Sequence, residues 1–112
     1  MADGVRAGDI VTAWRVLRHA VETDGVACTF TLPLDATVVH VACQDHRPGR
    51  VMFWVETPAS VLDDGVMSGP VARWTFRAFA TGDTIEAGWS YVGTALQRGG
   101  LYVWHLYRRR LS

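Results

Sequence analysis

The run GLYVWHLYRRR, residues 100–110, sets His105 among apolar and aromatic side chains and follows it with three arginines. Imidazole is the commonest acid–base group in catalysis, because its ordinary pKa lies near neutrality. As a general base, His105 needs an orienting carboxylate and a nucleophile. Asp83 and Glu86 are available, but no motif ties either to it. Alternation along a strand groups His105 with Leu101, Val103 and Tyr107. A lone histidine on such a face reads first as a core residue whose ring nitrogens are satisfied by backbone or a hydroxyl. Arg108, Arg109 and Arg110 give some phosphate affinity with a shallow salt dependence. Their simpler reading is a solvated tail.

A second arginine group, Arg73 and Arg77 with Thr75 between them, shares one face of the alternating run VARWTFRAFA. Convergent guanidinium groups bind phosphate or carboxylate through paired N–H donors. With Trp54 in reach, stacking plus charge would hold a nucleotide-like anion. The competing reading is a solvated outer face, with arginine stems covering apolar surface. ATGDT and YVGTAL invite a phosphate-loop reading, but the glycine-rich loop of that kind ends in Lys-Ser/Thr before a helix. This chain has no lysine, so both stretches read as hairpin turns. His19, His40, His46 and His105 are scattered. His40 and Gln44 share a strand face, yet two ligands fall short of a metal site. Neither a metal nor a cofactor is expected.

The bulk composition narrows the setting. A chain of 112 residues, 49% of them hydrophobic, is expected to form one domain with a single core. Formal net charge is zero, which argues against nucleic acid as a partner. All eleven basic side chains are arginine. Genome composition is the simpler account of that bias, and selection for anion-binding forks the other. Five tryptophans are many for this length and suggest a subunit interface. No basic-then-apolar leader is evident, and no apolar run approaches the roughly 18–20 residues that span a bilayer. Cys28 and Cys43 form no C-x-x-C motif and read as buried thiols. The expectation is a cytoplasmic protein with no membrane association.

The elements follow from periodicity. Residues 1–11 are small and polar and read as a flexible arm before a single β domain over 12–112. IVTAWRVLRHAVE is ambiguous: Ile10, Trp14, Leu17 and Val21 recur at helical spacing, while Trp14, Val16, Arg18 and Ala20 fit a strand. VACTFTL, TVVHVACQ, RVMFWVET and VARWTFRAFA all read as strands, and YVGTAL, QRGG and LYVWHLY as a closing hairpin. TVVHVACQ is read with Val39, Val41 and Cys43 on one face. A hairpin of 26–32 with 37–43 would make Cys28 and Cys43 diagonal neighbours, too far apart for a disulfide. Residues 58–70 carry Pro, Ser, Asp and Gly and read as the longest loop. The sum is an all-β, antiparallel sandwich or small barrel of six to seven strands.

LPLDA at 32–36, Gln44 closing its strand, WVE at 54–56, ATG at 80–82, YVGT at 91–94 and VWH at 103–105 carry a resemblance in their order and spacing. The chain resembles a family of small uncharacterised β-rich proteins of phages, prophages and bacteria. The resemblance covers about residues 12–107 and implies a β fold and a phage or prophage setting. It also implies a strand over 12–21. One departure is Ala80, where the family has the first glycine of G-T-G. No activity and no catalytic residue come with the resemblance. The candidate ligand-binding or interface set is Gln44, Trp54, Arg73, Arg77, Thr81, Trp104 and His105.

Three function classes remain open. The first is a non-enzymatic, self-associating binding protein that captures a host protein or a small anionic ligand, a role that fits counter-defence. The second is an accessory virion or assembly component, which would co-sediment with particles. The third is a small hydrolase or transferase using His105, for which His105→Ala would abolish turnover at nearly unchanged melting temperature.

Overall fold

The ambiguous first segment is a strand. In the computed structural model, which describes residues 13–44, 49–59, 62–63, 66–67 and 69–112, β1 is Trp14–Glu22. It pairs antiparallel with β4 (Arg50–Pro58) from Trp14↔Pro58 to Glu22↔Arg50. Nine cross-strand pairs outweigh the helical spacing, because an isolated amphipathic turn offers no comparable partner. β3 (Thr37–Ala42) covers the other side of β4, giving a three-stranded sheet of order β1-β4-β3. A four-stranded sheet has the order β2-β7-β9-β8, from Cys28–Pro33, Val71–Ala80, Tyr102–Arg110 and Ser90–Gln97 respectively. All pairings are antiparallel. The architecture is a two-sheet sandwich, not a closed barrel.

The core lies between the sheets. From β4, Val51, Phe53 and Val55 face inward, and Phe53 stacks on Phe76 of β7 at 4.4 Å between ring centroids. Phe30 of β2 packs edge-on against both. Val21, Leu32, Ala78, Ala95 and Leu106 complete the buried cluster. Each large apolar side chain buried here contributes about 1.5–3 kcal/mol. As the central strand, β4 also buries Met52 on its other side.

Three local features differ from the alternation read in the sequence. β2 and β3, neighbours in the chain, do not form a hairpin: β2 pairs with β7 and β3 with β4, so residues 34–36 cross from one sheet to the other. β3 carries a bulge between Val38 and His40. The bulge turns Val39 out to solvent and aims Val38 and Val41 at the core. β8 carries a matching bulge between Tyr91 and Gly93. The two bulged edges meet there, and a Cβ on Gly93 would lie 2.7 Å from Val41 Cγ2.

The closing hairpin forms as read, through a tight turn at Arg98–Gly100 with positive φ at all three residues. Within residues 58–70, β5 (Leu62–Asp63) and β6 (Val66–Met67) make a minimal ladder of their own. The proposed arm at 1–11 lies outside the described residues. Ala80 fits its place because the turn puts its positive φ, +96°, at Gly82. The Asp83 side chain accepts from Ala80 N at 2.9 Å, and Asp83 N donates to Ala80 O at 3.0 Å.

Candidate functional site

Alternation along β9 divides its side chains between two environments. Trp104, Leu106, Arg108 and Arg110 point to the inner face, and Val103, His105, Tyr107 and Arg109 to the outer one. His105 is therefore not a core residue. It is half-buried on the outer face of the four-stranded sheet, opposite Thr94 of β8 and Phe79 of β7. Its Nε2 meets Thr81 Oγ1 at 2.9 Å, and its Nδ1 meets Thr94 Oγ1 at 3.0 Å. Thr94 Oγ1 in turn meets the Tyr91 hydroxyl at 2.6 Å. A neutral imidazole donates at one nitrogen and accepts at the other, so this row of four polar side chains runs in one direction at a time.

The two candidate carboxylates are engaged elsewhere. Asp83 holds the Ala80 amide, and Glu86 accepts from Trp89 Nε1 at 2.9 Å. Among the described residues no carboxylate hydrogen-bonds His105, and no group of three His, Cys, Asp or Glu side chains could hold a metal ion. His46 lies outside the described residues.

Beside that row lies an aromatic cluster capped by guanidinium groups. Phe79 is fully buried although it faces outward, because Trp89 and Tyr107 pack edge-on against it and Arg77 lies over its ring at 4.5 Å. Arg109 lies over Trp89 at 4.6 Å. Tyr91 packs against Tyr107. Arg73 stands exposed on the same face, and Thr75 between Arg73 and Arg77 pairs across the ladder with Arg109. Thr75 is buried and donates to Cys28 O at 3.3 Å. Among the described residues the only ion pair is Arg50 with Glu22, on the other sheet. Arg77 and Arg109 thus have aromatic supports and, among the described residues, no carboxylate ion pair. A guanidinium lying flat on a ring keeps its edge N–H groups free for an oxyanion. Arg77 Nε is buried and has no hydrogen-bond partner.

The candidate residues read from the sequence separate into three places. Thr81 and His105 are in direct contact, on the face that also carries Arg73 and Arg77. Trp54 is on the outer face of the three-stranded sheet, against His40, so it cannot stack with a ligand held by Arg73 and Arg77. Gln44 belongs to that far side too, and accepts from Arg18 Nη1 at 3.4 Å. Trp104 points inward and donates from Nε1 to Gln97 Oε1 at 3.1 Å. The parity of β4 explains the separation: Phe53 must face the core, which sends Trp54 to the opposite surface.

The expected tail is also corrected. Arg108, Arg109 and Arg110 are strand residues of β9, and Leu111 N donates to Arg73 O beyond them. Arg109, Trp89, Phe79 and Tyr107 were not among the candidates. Extending the alternation of VWHLY by three residues is the signal that finds Arg109, since it shares parity with His105 and Tyr107.

Among the described residues no helix is long and apolar enough to cross a membrane. No curated protein and no solved structure matches the chain. Residues 13–112, which include every strand of the sandwich, match the family model described as Domain of unknown function (DUF7352), and the chain belongs to that family.

Proposed function

We propose that this chain is a non-enzymatic binding protein of phage or prophage origin, and that the outer face of its four-stranded sheet captures an anionic partner. The observation that carries the reading is the pair Arg77 and Arg109, held over aromatic rings with no ion pair to a carboxylate among the described residues. Ordered cations of this kind gain from an incoming oxyanion, because little side-chain entropy remains to be lost. The hydroxyl–imidazole row beside them supplies further donors. Both ring nitrogens of His105 are engaged by threonine hydroxyls, which favours a positioning role over general-base chemistry. The partner is a small anionic ligand or an acidic surface of a host protein, and capture of either fits counter-defence in the host cytoplasm. Self-association is supported by exposed Trp14 and Val16 on edge strand β1.

Native mass spectrometry of protein purified straight from lysate tests the reading. The expected spectrum shows a retained ligand or host protein that is lost from the Arg77→Gln/Arg109→Gln variant. A bare chain, or retention that survives both substitutions, overturns it.

A further inference from the structure

The inner face of β9 carries a second pair of cations, on the opposite side of the sheet from Arg77 and Arg109. Arg108 and Arg110 project from it at the end of the sandwich where β7 begins. Both lean on one indole: the Arg108 guanidinium carbon lies 4.1 Å from the Trp74 ring centroid, and that of Arg110 lies 5.9 Å away. Trp74 is itself fixed, half-buried against the core with Phe30, Ala36 and Val38.

Two like charges on one ring repel each other, and the site offers little relief. The single polar contact that either guanidinium makes is from Arg110 Nε to Ser112 O, at 3.3 Å. Among the described residues no Asp or Glu side chain pairs with either. Burial moreover lowers the pKa of Arg108, which marks its charge as partly desolvated. Arginine stays protonated in proteins, so the charge of Arg108 persists and gains from a nearby anion.

We propose that Arg108 and Arg110, braced on Trp74, form a binding site for a phosphate dianion, free or as the terminal group of a monoester. Two positive charges match the charge of the dianion. The Arg108 guanidinium lies over the indole at 4.1 Å and makes no hydrogen bond among the described residues, which leaves N–H groups for paired hydrogen bonds to phosphate oxygens. The outer-face arginines are not required for this site.

Titration of the full chain with inorganic phosphate at constant ionic strength tests it, read from the indole N–H resonances and assigned with Trp74→Phe. A saturable shift of the Trp74 signal is expected. Arg110→Gln, at an exposed position that leaves the core untouched, should weaken it about tenfold, the loss of one charged hydrogen bond. Arg108→Gln should weaken it at least as much, and Arg77→Gln should leave it unchanged. A nucleoside monophosphate as second probe separates the sources: tighter binding than phosphate assigns the monoester, and equal binding the free ion. The proposal fails if phosphate produces no saturable shift of Trp74, if acetate matches phosphate, or if the response survives Arg110→Gln. Loss of the response in Arg77→Gln, with the outer-face partner also lost, would assign the anion to the outer face instead.

Discussion

The two outer faces of the sandwich treat their cations in opposite ways. On the three-stranded sheet, Arg50 Nε pairs with Glu22 Oε1 at 3.0 Å, and Arg18 donates to the neutral amide of Gln44. On the four-stranded sheet, Arg77 and Arg109 rest on Phe79 and Trp89, with no ion pair to a carboxylate among the described residues. An anion meeting Arg50 must displace its carboxylate partner. On the second face it adds interactions that nothing within the face supplies. Aromatic support without charge compensation, and not arginine content alone, therefore locates the candidate binding surface.

Both faces depend on the sandwich staying closed, and the largest effect is expected at its seam. Gly93 of β8 lies so close to Val41 of β3 that an added Cβ would sit 2.7 Å from Val41 Cγ2 and 3.0 Å from its Cβ. Valine is stiff at χ1, so the strands must part to admit the methyl. Gly93→Ala should cost about 1–3 kcal/mol in chemical denaturation, as overpacking does. Gly93→Ala combined with Val41→Ala should recover part of the loss. A single variant as stable as the parent would mean that the seam yields freely and does not hold the faces in register.

Breaking the outer-face contrast directly comes next. Arg77→Gln with Arg109→Gln should weaken binding of an oligoglutamate peptide by about tenfold or more, since each stacked guanidinium offers charged hydrogen bonds. Arg18→Gln and Arg50→Gln on the other face should leave that affinity unchanged. Titration followed at the Trp89 indole resonance separates the two. Equal losses from both faces would reduce the contrast to net charge.

Much of this fold is legible in the sequence, and the reason is parity. VARWTFRAFA alternates as β7 does, and the closing hairpin forms where its turn residues stand. Pairing partners are less legible. Nothing in TVVHVACQ announces the bulge at Val39, which reverses the face of the residues before it. Nor does the short connection at 34–36 say that it joins two sheets and not two strands of one hairpin. The candidate site is accordingly half legible. Arg73, Arg77, Thr81 and His105 do share a face, while Trp54 belongs to the opposite side, because parity within a strand does not identify the sheet it joins. The arginines at 108–110 resemble a solvated end until the period of the preceding strand is carried through them.

A smaller effect sits between the faces. His19 points inward from β1, stacked on Phe53 at 5.4 Å and edge-on to Phe30 at 5.2 Å, with Nε2 buried and unpartnered. Burial lowers its pKa below the ordinary 6.5. The unfolded chain therefore takes up the proton first as pH falls. Stability should decline from about pH 6.5 down to the folded-state pKa and level off below it. His19→Phe, which keeps the stack, should remove that decline from melting temperatures measured across the range. An unchanged slope would trace the acid sensitivity to other groups.

The smallest change sharpens the comparison most. Arg50 and Glu22 are both substantially exposed, with side-chain accessibilities of 43% and 49%. Such a pair contributes about 0–1 kcal/mol, so Glu22→Gln should barely move stability. It does, however, leave Arg50 without its carboxylate and copies onto the three-stranded sheet the charge condition of the four-stranded one. If absence of a counter-charge were sufficient, oligoglutamate would now bind there. Unlike Arg77 and Arg109, Arg50 rests on no aromatic ring among the described residues, so its side chain would have to be ordered at the moment of binding. Glu22→Gln should accordingly gain little affinity, measured in the Arg77→Gln/Arg109→Gln background where the stronger face is silent. A gain that restores parental binding would show that the aromatic supports are dispensable.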